Sequence, residues 1–194
     1  MTCIVGLVGG DGSIYVGGDS AGVEGYDIVA RADKKVFHPG GEKSILIGFC
    51  GSFRARDLLE YGWTVPAIDE KMDPREYMVK RFIPKCRSIF KCGGHTEIKD
   101  NAEVTETSFI VGFNRRLFTV DVDFQVGEHI VPYAAVGCGG WIAMGSMYTS
   151  SFHDDEAECR VLRSLESAEA YSAGVRGPHY CMSIGPRTRF KRNA

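Results

Sequence analysis

The chain is 194 residues long and 44% hydrophobic, with a formal net charge of −2 and a sequence pI near 6.2. That length suits one domain over residues 1–194 with a sizeable core, and the balanced charge gives no electrostatic case for nucleic acid or an anionic membrane. No apolar run approaches the ~18 residues that span a bilayer, and the N-terminus has neither a basic n-region nor a long h-region, so the expected location is the cytoplasm.

The elements alternate in blocks. Strands are predicted at Cys3–Val8 and Ser13–Asp19 across the Gly-rich turn Gly9-Gly10-Asp11-Gly12, then at Lys35–Phe37 and Ser44–Cys50. Helices follow at Phe53–Tyr61 and Pro74–Phe90. The second has Asp73 as N-cap and Pro74 at the first helical position, and Pro84 should kink or interrupt it. Residues Lys91–Thr105 hold Gly93, Gly94 and mixed charge and read as a surface loop. Strands resume at Thr107–Gly112, Arg116–Val120, Phe124–Val126 and Tyr133–Val136, with Asn114-Arg115 as the hairpin turn between the first two. Helices return at Gly140–Ser151 and Asp154–Ala173, where Val161, Leu165 and Ala168 mark one buried face. A strand at Tyr180–Ile184 closes the pattern, and the basic run from Arg187 to Arg192 reads as a solvated tail. Strands, helices, strands, helices is an α+β order that suits a layered sandwich.

Seven cysteines, at positions 3, 50, 86, 92, 138, 159 and 181, are an odd number without C-x-x-C spacing. His95 lies near Cys92 without completing a zinc pattern, so the thiols read as reduced and packed. No metal and no cofactor is expected.

The first residues carry the chemistry. Thr2 follows Met1 directly. Once Met1 is removed, Thr2 holds both a hydroxyl nucleophile and an α-amine, and a free α-amine titrates near ~7.7–8. Such an amine can take the hydroxyl proton, directly or through a water. Behind Thr2 come a strand and turn ending Gly17-Gly18-Asp19-Ser20. Then come Arg31-Ala32-Asp33-Lys34-Lys35-Val36-Phe37 and Ser44–Phe53, an apolar strand running through Gly51 into the helical Arg54-Ala55-Arg56-Asp57-Leu58-Leu59. In the other half stand Ala135-Val136-Gly137-Cys138-Gly139-Gly140 and Glu169-Ala170-Tyr171-Ser172-Ala173-Gly174. Together these segments resemble proteasome β subunits and their simpler bacterial relatives of the HslV type, over nearly the whole chain and in family order.

The resemblance implies a four-layer αββα sandwich, the N-terminal-nucleophile hydrolase fold, and a threonine endopeptidase. It makes Thr2 the nucleophile, Lys35 the active-site lysine, Asp19 the carboxylate that orients it, and Gly51 the oxyanion donor through its N–H. Between the two adjacent lysines, Lys35 is chosen because it directly precedes Val36; side-chain alternation would send Lys34 the other way. Two positions depart from the family pattern. Cys138 stands where a serine is usual and Glu169 where an aspartate is usual, while Ser172 is retained, so hydrogen bonding around the Thr2 amine is expected to be rearranged. Asp33, Phe49 and Phe53 match the pocket for the residue preceding the cut and would make it restricted and apolar; both rings read equally as plain core.

The implied partners are peptide or unfolded-protein substrates, further copies of the chain in rings of 12 or 14, and an ATPase or other regulator. Apolar residues in excess of one buried stripe on the helix from Pro74 (Tyr77, Met78, Phe82, Ile83, Ile89) and on the helix from Gly140 (Trp141, Ile142, Met144, Met147, Tyr148) are expected to form ring contacts. Charged residues at Phe82 and Met147 should then break the particle. The competing readings are an N-terminal-nucleophile amidase acting on small amides and a non-catalytic ring subunit.

Overall fold

The computed structural model describes residues 1–185; the basic run from Arg187 to Arg192 lies outside them. The chain opens with strands β1 (Cys3–Val8) and β2 (Ile14–Gly18), a short hairpin β3 (Ala21–Glu24) and β4 (Asp27–Ala30), then β5 (Val36–Phe37), β6 (Ile45–Cys50) and helix α1 (Phe53–Tyr61). Next come α2 (Pro74–Tyr77), a π-helical turn at Met78–Phe82 and α3 (Ile83–Cys92), followed by a hairpin of β7 (Glu97–Lys99) and β8 (Ala102–Val104). The rest is β9 (Ser108–Phe113), β10 (Arg116–Val120), β11 (Val126–Gly127), β12 (Tyr133–Gly137), α4 (Gly140–Ser150), α5 (Ala157–Tyr171) and β13 (Tyr180–Ile184).

Two antiparallel sheets carry the molecule, one ordered β12-β1-β2-β13 and the other β11-β10-β9-β6-β5. Their strands are nearly continuous apolar runs because both faces are covered, and period-2 alternation divides each run between two cores. In β1, Cys3, Val5 and Leu7 pack under α4 and α5, with Ala143, Met147, Val161 and Leu165. Ile4, between them, joins Val16, Val36, Leu46 and Ile110 in the core between the sheets. In β6, Ile45, Ile47 and Phe49 face Leu59, Phe82, Cys86 and Phe90 of α1 and the α2–α3 helix. The result is four layers, helices outside two stacked sheets: an α+β sandwich with the αββα order that the resemblance implies.

Local signals explain the ends. Ser52 caps α1 by accepting from Arg54 N–H at 3.1 Å, and Asp73 caps α2 by accepting from Arg75 and Glu76. Pro84 offers no N–H to the carbonyl four residues back, and the ladder widens just ahead of it: Ile83 N–H bonds Met78 O, five residues away. Asn114 and Arg115 take positive φ (48° and 66°) in the β9–β10 turn, as a type I′ hairpin requires.

Three expectations need correction. The stretch Lys91–Thr105 holds the β7–β8 hairpin, turned by Asp100 and Asn101 at φ 51° and 64°. The hairpin β3–β4 was not expected either. Finally, Tyr77, Met78, Phe82 and Ile83 are buried in the chain's own core, as is Met147 under β1. Their apolar surface is spent within the subunit; on α4 the exposed large apolar residues are Trp141 and Tyr148.

Candidate active site

Thr2 sits at the open end of β1, just before the strand enters the core, and three segments converge on it. Its Oγ1 accepts from Lys35 Nζ at 2.8 Å and donates to the Met1 carbonyl at 2.5 Å. The same ammonium bonds Asp19 Oδ1 at 2.8 Å. Lys35 and Asp19 are 1% and 0% exposed, a charged pair out of contact with water. Such a pair persists only when its remaining hydrogen-bonding capacity is met, and at Asp19 it is. Asp19 Oδ1 also accepts from Cys3 N–H at 3.0 Å, and Oδ2 from Ala21 N–H at 3.0 Å and Arg176 N–H at 3.3 Å. The carboxylate therefore ties β1, the start of β3 and the loop before β13 to one point.

Lys35, not Lys34, faces Thr2, though strand alternation is not the reason. The regular strand β5 begins only at Val36. What separates the two lysines is the clamping of this segment: Lys34 is exposed, and Arg56 of α1 donates to its carbonyl from Nε at 3.0 Å. Arg56 is itself buried, paired with Asp57 at 2.9 Å and with Glu60.

The Thr2 carbonyl is held on the opposite side by the β12–α4 turn. Gly139 N–H donates to it at 3.4 Å and the Cys138 thiol at 3.5 Å. Gly137, at φ 98°, must be glycine, because a Cβ there would lie 2.2 Å from that carbonyl oxygen. Ser172 Oγ donates to Cys138 Sγ at 3.4 Å, so the chain Ser172–Cys138–Thr2 is continuous. Glu169 stands outside it. Its carboxylate takes His179 Nε2 at 2.7 Å and Arg176 at 3.6 Å. Burial opposes its charge, but the Gly177 N–H, His179 and Arg176 hold its pKa below the usual carboxylate range.

Gly51 leads from β6 into α1 at φ 129°, with room for no side chain: a Cβ would come 2.4 Å from the Glu106 carbonyl and 2.9 Å from Thr107. Among the thiols near Thr2, Cys3 is pushed up to about 12 by burial and by Asp19. Burial chiefly raises Cys50 too, against the pull of the N-terminal ammonium. Neither is a thiolate near neutral pH, so neither competes with the Thr2 hydroxyl as nucleophile.

The expected apolar pocket is altered. Phe49 is fully buried in the helix-side core and offers a substrate nothing. Phe53 meets it edge-on at 5.3 Å and carries the Arg31 guanidinium 3.8 Å above its ring. Asp33 holds that guanidinium through Nε and Nη2 at 2.7–3.0 Å. Asp33 and Phe53 thus meet across Arg31, as an ion pair laid over one phenyl ring.

Reasoning on the sequence missed Arg56, Gly137 and the contacts of His179. For the first, Arg54 two residues earlier offered an equal candidate and the sequence does not separate them; for the second, the Val-Gly-Cys-Gly-Gly run was the available signal. Among the described residues no group of three or more His, Cys, Asp or Glu side chains could hold a metal ion, and no described helix is long and apolar enough to cross a membrane.

No protein-family model matches the sequence, and no curated protein matches it. Solved structures do match. The fold is that of BPH from Thiobacillus denitrificans in complex with epoxomicin (TM-score 0.74, 18% identity, 94% of this chain and 98% of that one). A second structure of BPH from the same organism matches equally well (TM-score 0.74, 20% identity, 94% and 97%). Eukaryotic HslV from Trypanosoma brucei follows (TM-score 0.70, 17% identity, 95% and 99%). The chain thus shares, over nearly its whole length, the fold of HslV-type proteasome subunits.

Proposed function

We propose that the chain is a subunit of a self-compartmentalising threonine endopeptidase, with Thr2 as nucleophile in a ring-shaped homo-oligomer. The observation that carries the reading is the buried chain Thr2 Oγ1–Lys35 Nζ–Asp19 at the mouth of β1, in a fold shared with HslV-type proteins.

Catalysis begins when the peptide bond before Thr2 is cut. The freed α-amine takes the Oγ1 proton, and Oγ1 attacks the scissile carbonyl. Lys35 Nζ, held by Asp19 at 2.8 Å, lies 2.8 Å from Oγ1 and favours the developing alkoxide there. The Gly51 N–H is assigned to the oxyanion. The amine then passes its proton to the leaving amine, and a water activated by the same amine releases the acyl group from Thr2. Lys35 and Asp19 thus serve the Thr2 oxygen and Gly51 the oxyanion of the substrate, while Cys138 and Ser172 hold the Thr2 backbone so that the amine and hydroxyl keep their relative position. The substrates are peptides or unfolded proteins that enter the chamber, delivered by an ATPase or other regulator where one is present.

Thr2→Ala should abolish turnover of an unstructured protein substrate and leave the particle's size unchanged in native mass spectrometry. Epoxomicin, the compound in complex with BPH in one Thiobacillus denitrificans structure, is the probe, with peptide mapping to locate any label. Label on Thr2, on a chain beginning at Thr2, supports the reading. Wild-type turnover by Thr2→Ala overturns it, and a fully active monomer would favour an amidase on small substrates instead.

A further inference from the structure

The mechanism places Lys35 but leaves open what fixes its register. Val36–Phe37 is a two-residue edge strand, and Lys35 precedes it without a regular ladder. Edge strands present backbone groups without strand partners, and two lysines stand in sequence here, so a shift of one residue would offer Lys34 to Thr2. One brace is Arg56 on the Lys34 carbonyl; Phe49 N–H on the Lys35 carbonyl at 3.0 Å is a second. A third crosses from the opposite sheet. The Tyr180 hydroxyl of β13 accepts the Lys35 N–H, and the Val36 N–H also faces it.

That reach depends on an absent side chain. Tyr180 stands opposite Gly18 in the β2–β13 register. A Cβ at Gly18 would lie 3.4 Å from the Tyr180 hydroxyl, 3.4 Å from Val36 Cγ2 and 3.0 Å from Ile4 Cδ1. The bare glycine leaves the passage through which the phenol spans the two sheets. Burial raises the phenol's pKa, with the two amides pulling the other way, so the group remains a neutral hydroxyl. The start of β13 is anchored in turn: His179 bonds Glu169 at 2.7 Å, Ser20 N–H donates to Arg176 O at 2.9 Å, and Ser20 Oγ donates to Pro178 O at 2.6 Å.

We propose that Tyr180 is a positioning residue for the reaction at Thr2: its hydroxyl, passing over Gly18, sets the backbone register that delivers Lys35 rather than Lys34 to the Thr2 oxygen. The inference rests on the peptidase reading of Thr2. It assigns the Glu169–His179 pair to this brace, holding β13 in place, rather than to the Thr2 amine. Tyr180 touches neither substrate nor Thr2, and acts only through Lys35.

Tyr180→Phe tests it, since the ring and its packing stay and only the hydroxyl goes. The expected result is a drop in kcat of roughly tenfold to a hundredfold with KM unchanged, the scale on which a small misplacement of a reacting group acts. Amide exchange at Lys35 and Val36 should quicken at least ~fivefold, in line with one lost hydrogen bond, while exchange in β1 and β6 stays as in the wild type. Wild-type kcat in Tyr180→Phe overturns the proposal, and so does a fall carried by KM alone. If the wild-type protein hydrolyses nothing, the peptidase reading fails by itself and the exchange measurement decides the brace: unchanged protection at Lys35 and Val36 overturns it.

Discussion

Asp19 and Lys35 form the most deeply buried ion pair among the described residues, two opposite charges each at most 1% exposed. Deleting one partner of such a pair leaves the other charged in a low dielectric, at a cost of about 3–5 kcal/mol. Lys35→Ala should therefore act twice. Turnover per folded subunit should fall at least ~10²-fold, the scale of a positioned electrostatic group, and the melting temperature should drop as well. Lys34→Ala should be close to neutral in both, since its ammonium is exposed and its ring contact, 5.3 Å from Tyr180, is of the weak surface kind. Rates normalised to folded protein decide the matter; exchanged phenotypes would mean that the register at Lys35 is wrong. The contact among Thr2, Asp19 and Lys35 was legible because the sequence holds them at intervals that match a known family. The neighbouring assignments were less so. Glu169 pairs with His179, ten residues on, because the loop from Ser172 to Pro178 folds back over the end of α5, and a loop path has no periodicity to read. Phe49 and Phe53 look alike in sequence, yet one lies on the helix-covered face of β6 and the other opens a helix.

Elements with strong periodicity or clear caps matched closely, and α1 spans Phe53–Tyr61 as expected. This helix matters beyond its own stability, since it carries Arg56 to the Lys34 carbonyl and starts directly after Gly51. Ser52→Ala removes its cap and should lower the unfolding free energy by about 1 kcal/mol, which for a chain of this size is a melting shift of roughly 2–4 °C. Ser52→Asp, which can still accept from Arg54 N–H, should lie near the wild type. Equal losses in both variants would show that the cap bond is not what holds the helix start. The two missed hairpins have a common physical origin. All four residues of β4 and all three of β7 are exposed, so neither strand has a buried face to impose alternation. Asp100-Asn101 is a usable turn signal, but the flanking strands are only three residues long and give it no alternating pattern on either side.

At the scale of the whole molecule, the surplus apolar residues divide into those the subunit needs and those it leaves outside. Phe82 and Met147 belong to the first group, both 0% exposed in separate helix–sheet cores. Deleting a side chain of this kind costs about 2–5 kcal/mol, and a buried unpaired charge adds to that. Since a domain holds only about 5–15 kcal/mol in all, Phe82→Asp and Met147→Glu should yield unfolded or aggregated chains rather than dispersed, folded subunits. Trp141 and Tyr148 belong to the second group, 88% and 61% exposed on α4. They are seven residues apart and so lie on one face of the helix. If the proposed ring forms through this face, Trp141→Glu with Tyr148→Glu should shift native mass spectra from 12 or 14 copies toward single folded subunits. Circular dichroism and the monomer's own melting curve should stay unchanged, because neither side chain supports the core. Activity should fall with assembly and recover at higher protein concentration, as mass action requires. A double variant that keeps the full particle would place the ring contacts elsewhere, and an unfolded one would show that α4 depends on these rings for its own packing.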